Sequence, residues 1–310
     1  MRAMIVTTVA TAVLVAGVVA AKPVHNACDA TAKAGVLACN DAGKNAFWLA
    51  VGTCKNISDD ATRKQCLDDA KSTAKEVKGD CSDQGHARHD LSTALGETPY
   101  EPVINPGDFV SPAEGAAHPN PYFPLVPGTV WVYKGGGETD TVTITDQTKE
   151  IRGVSTRVVA DTVTNDSDVV TEDTEDYFAQ QPDGTVWYFG ELSKEFDNGD
   201  LVSLEGSWQA GRDGAQPGII MKAAPMVGDV YRQEFLLGVA EDAAEVVSTT
   251  ASESVPGGSC SGDCVETHEF SPLDIGGDEN KFYKPGVGVI LEVDIETGSR
   301  LELQSVTTPP

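Results

Sequence analysis

The chain has 310 residues, enough for one large or two small domains, and its 40% hydrophobic content is sufficient for a buried core. Residues 22–100 are nearly neutral, so almost all of the formal net charge of -26 belongs to residues 101–310. A surface this negative repels phosphate backbones and anionic lipid headgroups, which disfavours nucleic acid and anionic membrane surfaces as partners. Cations, cationic partners and solubility remain as reasons for the charge.

Residues 1–21 form an apolar run with one early Arg and a small-residue end. This pattern predicts a secretory signal peptide cleaved after Ala21. An uncleaved membrane anchor is the alternative, because the run is close to the length that spans a bilayer. A lipoprotein is less favoured, since no apolar stretch abuts Cys28. Export places the seven cysteines in an oxidising compartment, where disulfides are expected before metal sites.

Residues 22–96 are predicted to form a Cys-rich helical hairpin. Small and apolar residues recur at steps of three and four over 36–54 and again over 66–77, which is typical of two helices with narrow seams. Ser58 or Asp59 is expected to cap the second helix through its exposed amides. Small seam residues allow the close approach that disulfides between helices require.

The spacing of the cysteines predicts which of them pair. In an antiparallel hairpin, facing residues have numbers that add to a constant, and two cysteine pairs share the same sum. The predicted bridges are Cys39–Cys81 and Cys54–Cys66. The same rule places Ser92 opposite Cys28, so Cys28 is predicted to be a free thiol that allows a dimer through a disulfide between two chains.

Residues 97–120 are rich in Pro, with Gly and Ala between and no apolar period. They are predicted to be a semi-extended linker, laid on the following domain through Tyr100 or Phe109.

Residues 121–308 are predicted to be an acidic β-domain. Alternating segments follow one another, and Asn-Gly, Asp-Gly and Thr-Gly junctions between them have hairpin chemistry. The predicted strands are 129–134, 139–147, 154–164, 168–180, 184–190, 201–208, 228–237, 243–251, 263–270, 279–284, 287–295 and 300–306. Short connections favour an antiparallel meander that forms a curved sheet or open barrel, lipocalin-like or lipoprotein-carrier-like in shape. A two-sheet sandwich is the alternative.

Four segments of this half carry a resemblance to a known family. They are NPYFPLVPGTVWVY (120–133), DYFAQQPDGTVWYFGE (176–191), EGSWQAGRDGAQPGIIMKAAPMVGDVYRQE (205–234) and KFYKPGVGVILEV (281–293). Together with the Cys-rich hairpin, they resemble a β-domain family that recurs in secreted and lipid-anchored bacterial proteins. The resemblance implies a β fold and export, and it implies no activity, cofactor or catalytic residue.

The β-domain lacks the sequence signatures of common enzymes. The linker and the β-domain together have only His118 and His268 and no nucleophile elbow, zincin motif or phosphate loop, so no catalytic residue and no cofactor are assigned. Cys260 and Cys264 lie in a Gly/Ser-rich loop, where a small disulfide is favoured over a metal or redox role.

A ligand cleft is the sharper hypothesis, and it centres on Arg232, one of the few bases of the domain. Arg232 lies in an apolar-flanked strand, which predicts that it is buried and bonded to a carboxylate such as Asp173 or Glu191. A purely structural ion pair is one interpretation. The other is that these groups and nearby aromatic side chains line a small-molecule site. The candidate ligand-binding residues are Asp173, Asp176, Trp187, Tyr188, Glu191, Trp208, Arg232 and Glu234.

Two metal hypotheses are less favoured. His86 and His89 would share a helical face with Asp83, but a solvated face is the preferred interpretation. The acidic stretches 161–168, 197–200 and 276–279 have the oxygen ligands that calcium prefers, although none fits the EF-hand pattern.

The sequence therefore predicts a secreted, periplasmic or cell-surface binding module without enzymatic activity, whose partner is a small molecule or an envelope component. A hydrolase that uses carboxylates of the β-domain cleft is one alternative. A structural surface protein is the other. A pocket that holds two close carboxylates in differing environments would favour the hydrolase, and a filled barrel interior would count against it.

Overall fold

The computed structural model describes residues 27–309. The predicted signal peptide and its cleavage point lie outside the described residues. Within 27–309, no helix has the length and apolar character needed to cross a membrane.

The chain begins with two long antiparallel helices, α1 (Ala27–Lys55) and α2 (Asp60–Ala94). Asp59 caps α2, as expected, by accepting a hydrogen bond from the backbone amide of Thr62 at 2.8 Å. The helices approach closely at two glycines, because an added Cβ would lie 2.8 Å from Val77 at Gly43 and 2.4 Å from Val36 at Gly85.

The disulfides confirm the predicted hairpin. Cys39 pairs with Cys81 and Cys54 pairs with Cys66. The structure also pairs Cys260 with Cys264 and leaves Cys28 as a free cysteine.

The segment after α2 contains more structure than the sequence predicted. A 3-10 turn spans Pro106–Asp108 and a short helix, α3, spans Pro112–Ala117. Ser111 caps α3, and Pro112 lies in its first turn. This Ser-Pro pair is a local signal for a helix start that the linker prediction did not use. The expected contacts with the β-domain are present. The Tyr100 hydroxyl donates to the Pro217 carbonyl at 2.9 Å, and the ring of Phe109 packs on Phe189.

The remaining chain is antiparallel β. The strands are β1 (Val130–Gly135), β2 (Glu138–Ile151), β3 (Val154–Asn165), β4 (Val170–Gln180), β5 (Val186–Leu192), β6 (Glu195–Asp197), β7 (Asp200–Ser203), β8 (Trp208–Gln209), β9 (Gln216–Met221), β10 (Val230–Arg232), β11 (Glu234–Phe235), β12 (Ala243–Val255), β13 (Gly258–Phe270), β14 (Glu279–Lys284), β15 (Gly288–Asp294) and β16 (Arg300–Thr307). Most predicted strands are present. Those predicted at 201–208 and 228–237 are each broken into shorter pieces.

The strands form one sheet that nearly closes into a barrel. Its order is β10-β12-β13-β14-β15-β16-β1-β2-β3-β4-β5-β9-β11. The first and last strands of that order are consecutive in the chain, joined by Gln233 alone. β10 pairs with β12 while β11 pairs with β9, so one short segment brings the two edges of the sheet together. This topology agrees with the predicted barrel and excludes the sandwich.

Closure depends on β9, which the sequence analysis missed because Pro217 and Gly218 have low strand propensity. A Cβ at Gly218 would lie 2.3 Å from the backbone of Gln233. Only glycine allows the closing segment to approach this closely.

A candidate ligand cavity inside the barrel

The barrel interior is hollow. One cavity of about 310 Å³ is lined by residues of β1 to β5, β9, β11 and β13 to β15. A second space of about 340 Å³ lies next to it, towards the loop after β13. Both are lined by Glu191, Gln233, Glu234, Asp242, Glu269 and Lys281. The two spaces therefore adjoin each other at these side chains.

Carboxyl groups and aromatic rings dominate the wall of the 310 Å³ cavity. The carboxyl residues are Asp140, Asp161, Asp176, Glu191, Glu234, Asp242, Glu269 and Glu292. The aromatic residues are Phe123, Trp131, Tyr133, Phe178, Tyr188 and Tyr283. Among the described residues, Lys281 is the one base that lines this cavity. Its wall therefore has far more acid than base.

Strand alternation places the acids on the inner face. In β2, Asp140, Val142 and Ile144 all line the cavity, as side chains two residues apart share one face of a strand. In β3, Val159 and Asp161 do the same. Asp140 and Asp161 thus extend the inner rows of side chains that also supply the apolar core.

Tyr188 joins two of the acids. Its hydroxyl lies 2.5 Å from Asp176 Oδ1 and 2.9 Å from Glu191 Oε2. Burial raises the pKa of Glu191 to about 7, and burial together with the nearby Glu191 raises the pKa of Asp176 well above its usual range. When two buried carboxyl groups lie this close to one hydroxyl, repulsion between their negative charges disfavours the state in which both are ionised.

Asp140 and Asp161 form a second acid pair across β2 and β3. Burial, a hydrogen bond between the two carboxyls and the charge of Asp161 raise the pKa of Asp140 to about 9. The Oδ1 atoms of both residues are buried and have no hydrogen-bond partner. At neutral pH this pair holds a proton, and each side chain keeps one acceptor atom unused.

Lys281 is shared among three carboxylates. Its Nζ lies 3.0 Å from Glu279, 3.5 Å from Glu269 and 3.6 Å from Glu292. Burial raises the pKa of Glu292 to about 7 despite this lysine. Glu269 also accepts hydrogen bonds from the hydroxyls of Tyr283 and Thr267. Because Lys281 can neutralise only one carboxylate, the interior keeps an excess of acidic groups.

The closing segment contributes two more polar groups. Burial raises the pKa of Glu234 well above its usual range, and nearby Asp242 adds to the rise. Gln233 is only 4% exposed, and its Nε2 has no hydrogen-bond partner. A buried amide without a partner costs free energy, so this group is available to a guest in the cavity.

Four of the eight predicted ligand-binding residues meet in this cavity, namely Asp176, Tyr188, Glu191 and Glu234. The other four lie elsewhere. Asp173 is paired with Lys194 at 2.9 Å and is substantially exposed. Trp208 is buried and packs edge-on against the ring of Tyr188. Trp187 and Arg232 line a different cavity, between the hairpin and the barrel.

The predicted ion pair of Arg232 is wrong. Arg232 is buried, as expected, but its guanidinium lies over the rings of Phe235 and Tyr100, at 4.7 and 5.6 Å from their centroids. Neither proposed partner reaches it, because Asp173 pairs with Lys194 and Glu191 bonds to Tyr188. The break between β10 and β11 turns Arg232 away from the acid-lined interior.

The remaining cavity residues were missed by the sequence analysis. They include Tyr133, Asp140, Asp161, Gln233, Asp242, Glu269, Lys281, Tyr283 and Glu292. The available signal was an acid in phase with apolar residues along one strand, as for Asp140 with Val142 and Ile144. Reading charge by face would have identified some of these residues.

The metal candidates do not come together. His89 Nδ1 lies 3.2 Å from Asp29 Oδ1 across the hairpin, and His86 is exposed. Over residues 27–309, no group of three or more His, Cys, Asp or Glu side chains is arranged to hold a metal ion.

Comparisons with known proteins add little to this description. No protein-family model matches the chain, and no curated protein matches it. A solved structure described as "a putative lipoprotein from Parabacteroides distasonis" is similar at a TM-score of 0.34 and 14% identity, covering 61% of this chain and 99% of that chain. A likeness this distant says nothing about function. The family resemblance of the four sequence segments therefore stays a prediction.

Proposed function

We propose that this protein is an exported, non-enzymatic binding module whose ligand is a small organic amine held inside the barrel. The observation that carries the proposal is the hollow interior with eight carboxyl residues and a single lysine. Disulfides in both halves are consistent with an oxidising compartment outside the cytoplasm.

An ammonium group matches the charge of this cavity. Several of its acids have raised pKa values because they are buried without enough positive charge nearby. A cation that enters the cavity supplies the missing charge and favours the ionised carboxylates. Aromatic side chains also line this cavity, and an alkylammonium group is attracted to the face of such a ring.

The size of the cavity favours a small guest. Ligand pockets are typically about 300 to 1,000 Å³, so a main cavity of about 310 Å³ is at the lower end. Orphaned groups such as Gln233 Nε2 and Asp140 Oδ1 supply a donor and an acceptor for the polar parts of the ligand.

Calorimetry of the whole protein with 1,4-diaminobutane and choline tests the proposal, with 1,4-butanediol as an uncharged control of similar shape. We expect saturable binding of an amine and none of the diol. Val142→Phe, which fills the cavity, should abolish binding, whereas Val202→Phe on the exposed β7 should not. No binding of either amine by the folded protein, or equal binding of diol and diamine, would contradict it.

A hydrolase is the second candidate, favoured by the arrangement of Asp176, Tyr188 and Glu191. Two carboxyls at one hydroxyl, with a Glu191 pKa of about 7, resemble an acid and a base in differing environments. Turnover of aryl glycosides that Asp176→Asn abolishes, in a variant that keeps the wild-type melting temperature, would favour this candidate.

A further inference from the structure

A separate cavity of about 330 Å³ lies where the hairpin meets the barrel. Its walls come from α1, α2, the segment after α2 and strands β5 and β9 to β11, so it is outside the acid-lined interior. Apolar side chains form much of this wall, including Ala32, Leu95, Tyr100, Trp187, Ile219 and Phe235. In a chain with a net charge of -26, this cavity is unusual because three bases line it.

Two of the three bases are already neutralised. Arg88 is bonded to Glu241, and Lys222 Nζ lies 2.8 Å from Asp229. Arg232 has no ion-pair partner among residues 27–309, although it is only 7% exposed. Glu241 also lines the cavity and attracts Arg232, but both of its oxygens are hydrogen-bonded to Arg88. The two arginines therefore share one carboxylate, and an excess of one buried positive charge remains.

The hydrogen-bonding groups around this charge are also unused. Nε and Nη1 of Arg232 are buried without an acceptor. The rings of Phe235 and Tyr100 stack on the guanidinium but offer no acceptor in its plane. Buried polar atoms are nearly always hydrogen-bonded, so donors left unpaired at a cavity wall point to an absent acceptor.

We propose that this cavity binds a small monocarboxylate with a short apolar chain, whose carboxylate pairs with Arg232. A single negative charge matches the single unbalanced cation, and the apolar wall accommodates the chain. This site is independent of the amine cavity and selects the opposite charge. The protein would thus bind an anion between its two parts and a cation within its barrel.

A free cysteine in the cavity wall can be used to detect ligand binding. Cys28 lines this cavity, and Cys28 is the one free cysteine of the chain, since the other six form disulfides. A bound ligand should therefore slow the reaction of Cys28 with a maleimide. A bulky maleimide attached to Cys28 should in turn block binding.

The experiment is a titration of the folded protein with octanoate, read both by calorimetry and by the rate of Cys28 alkylation. Controls are 1-octanol and octylamine, which have the same chain without the negative charge. We expect octanoate to bind once per chain, at least about tenfold more tightly than either control, and to protect Cys28. Equal binding of octanol and octanoate, or octanoate binding without protection of Cys28, would overturn the proposal.

Variants assign the charge to Arg232. Arg232→Met should weaken octanoate binding by about tenfold or more, whereas Lys222→Met removes a base that is already paired and should weaken it less than about threefold. Equal losses in the two variants would contradict the role of Arg232. If Arg232→Met fails to fold, octanoate binding is measured instead on wild-type protein whose Cys28 carries a bulky maleimide. Octanoate binding that persists in this blocked protein would overturn the proposed site.

Discussion

Arg88 and Glu241 form a buried ion pair that joins the helical hairpin to the barrel across 153 positions of sequence. Nε and Nη2 of Arg88 donate to both carboxylate oxygens at 2.8 to 3.0 Å, and the two side chains are 4% and 1% exposed. The amide of Gly238 donates to the same carboxylate. The sequence analysis assigned a buried pair to Arg232, and the structure assigns it to Arg88.

Removing one partner of this pair should destabilise the protein strongly. Arg88→Met leaves the carboxylate of Glu241 buried without its cation, so we expect a loss of about 3 to 5 kcal/mol in the free energy of unfolding. Denaturant titration measures this loss. Lys71→Met is the control, because the Lys71–Asp68 pair is exposed and its removal should cost under about 1 kcal/mol. Similar losses for the two variants would show that the buried pair is not what joins the hairpin to the barrel.

Two helical glycines of α2 should respond in opposite ways to alanine. Gly79→Ala should stabilise the protein by about 0.5 to 1 kcal/mol, since nothing lies within 4 Å of the added Cβ and alanine favours a helix. Gly85→Ala should destabilise it by about 1 to 3 kcal/mol, because its Cβ would lie 2.4 Å from a branched side chain, Val36. Thermal melts decide the matter, and a stabilising Gly85→Ala would show that the helices are further apart than described.

A third disulfide should form if Ser92 is changed to cysteine. Position 92 faces Cys28 by the same sum rule that gave the two observed bridges, and both residues line the cavity between hairpin and barrel. Ser92→Cys should remove the free thiol and stabilise the protein by about 2 to 4 kcal/mol. Peptide mapping without reduction should show a 28–92 linkage. A folded Ser92→Cys variant that still reacts with thiol reagents would show that this third disulfide does not form.

The unliganded protein should be less stable at pH 8 than at pH 5. Burial raises the pKa of Glu191 and Glu292 to about 7 and that of Asp140 to about 9, against unfolded values near 4. The folded state then holds more protons than the unfolded state, so stability falls as pH rises from about 4.5 through 7 and on to 9. Each extra proton contributes up to about 1.4 kcal/mol per pH unit.

The melting temperature as a function of pH measures this effect. Below about pH 4 a second loss is expected, since hydrogen bonds from Thr62 lower the pKa of Asp59 and those from Thr297 lower the pKa of Asp294. Glu191→Gln should flatten the slope between pH 5 and 7. A melting temperature that rises steadily from pH 5 to 8 would contradict the acidic interior.

Calcium gives a simple test of whether the net charge of -26 has a specific cation function. No described cluster is arranged to hold a metal, so millimolar calcium should raise the melting temperature only slightly. A saturable rise at micromolar calcium would show a specific metal site and promote metal binding over amine binding.

The sequence predicted the parts of the fold that depend on local signals. Cysteine spacing gave the hairpin and its two bridges, and alternation with turn residues gave most strands. It missed β9, whose Pro217 and Gly218 are unsuited to a strand and form one only because the closing segment pairs with it. Closure is a long-range contact, and no local pattern indicates it.

The site was only half predictable for a related reason. Asp176, Tyr188, Glu191 and Glu234 were identified by being polar or aromatic beside apolar strand residues, and they do meet in the cavity. The partners Asp140, Lys281 and Glu292 come from strands far apart in the chain, and only the curvature of the sheet brings them together. Arg232 was expected on the same side as Glu234, because residues two apart share one face of a continuous strand. The strand breaks at Gln233, so Arg232 lies on the other side of the sheet from the acid-lined cavity.

The most direct measurement of the central claim is the number of protons released when 1,4-diaminobutane binds. Calorimetric titrations at pH 6.5 in buffers of different ionisation enthalpy provide this number. Since Glu191 and Glu292 have pKa values of about 7, they are partly protonated at that pH, and an ammonium group that enters the cavity should expel protons from them. We expect saturable binding with net proton release, and a smaller release in Glu191→Gln. Binding without proton release, or no binding of the diamine by the folded protein, would contradict it.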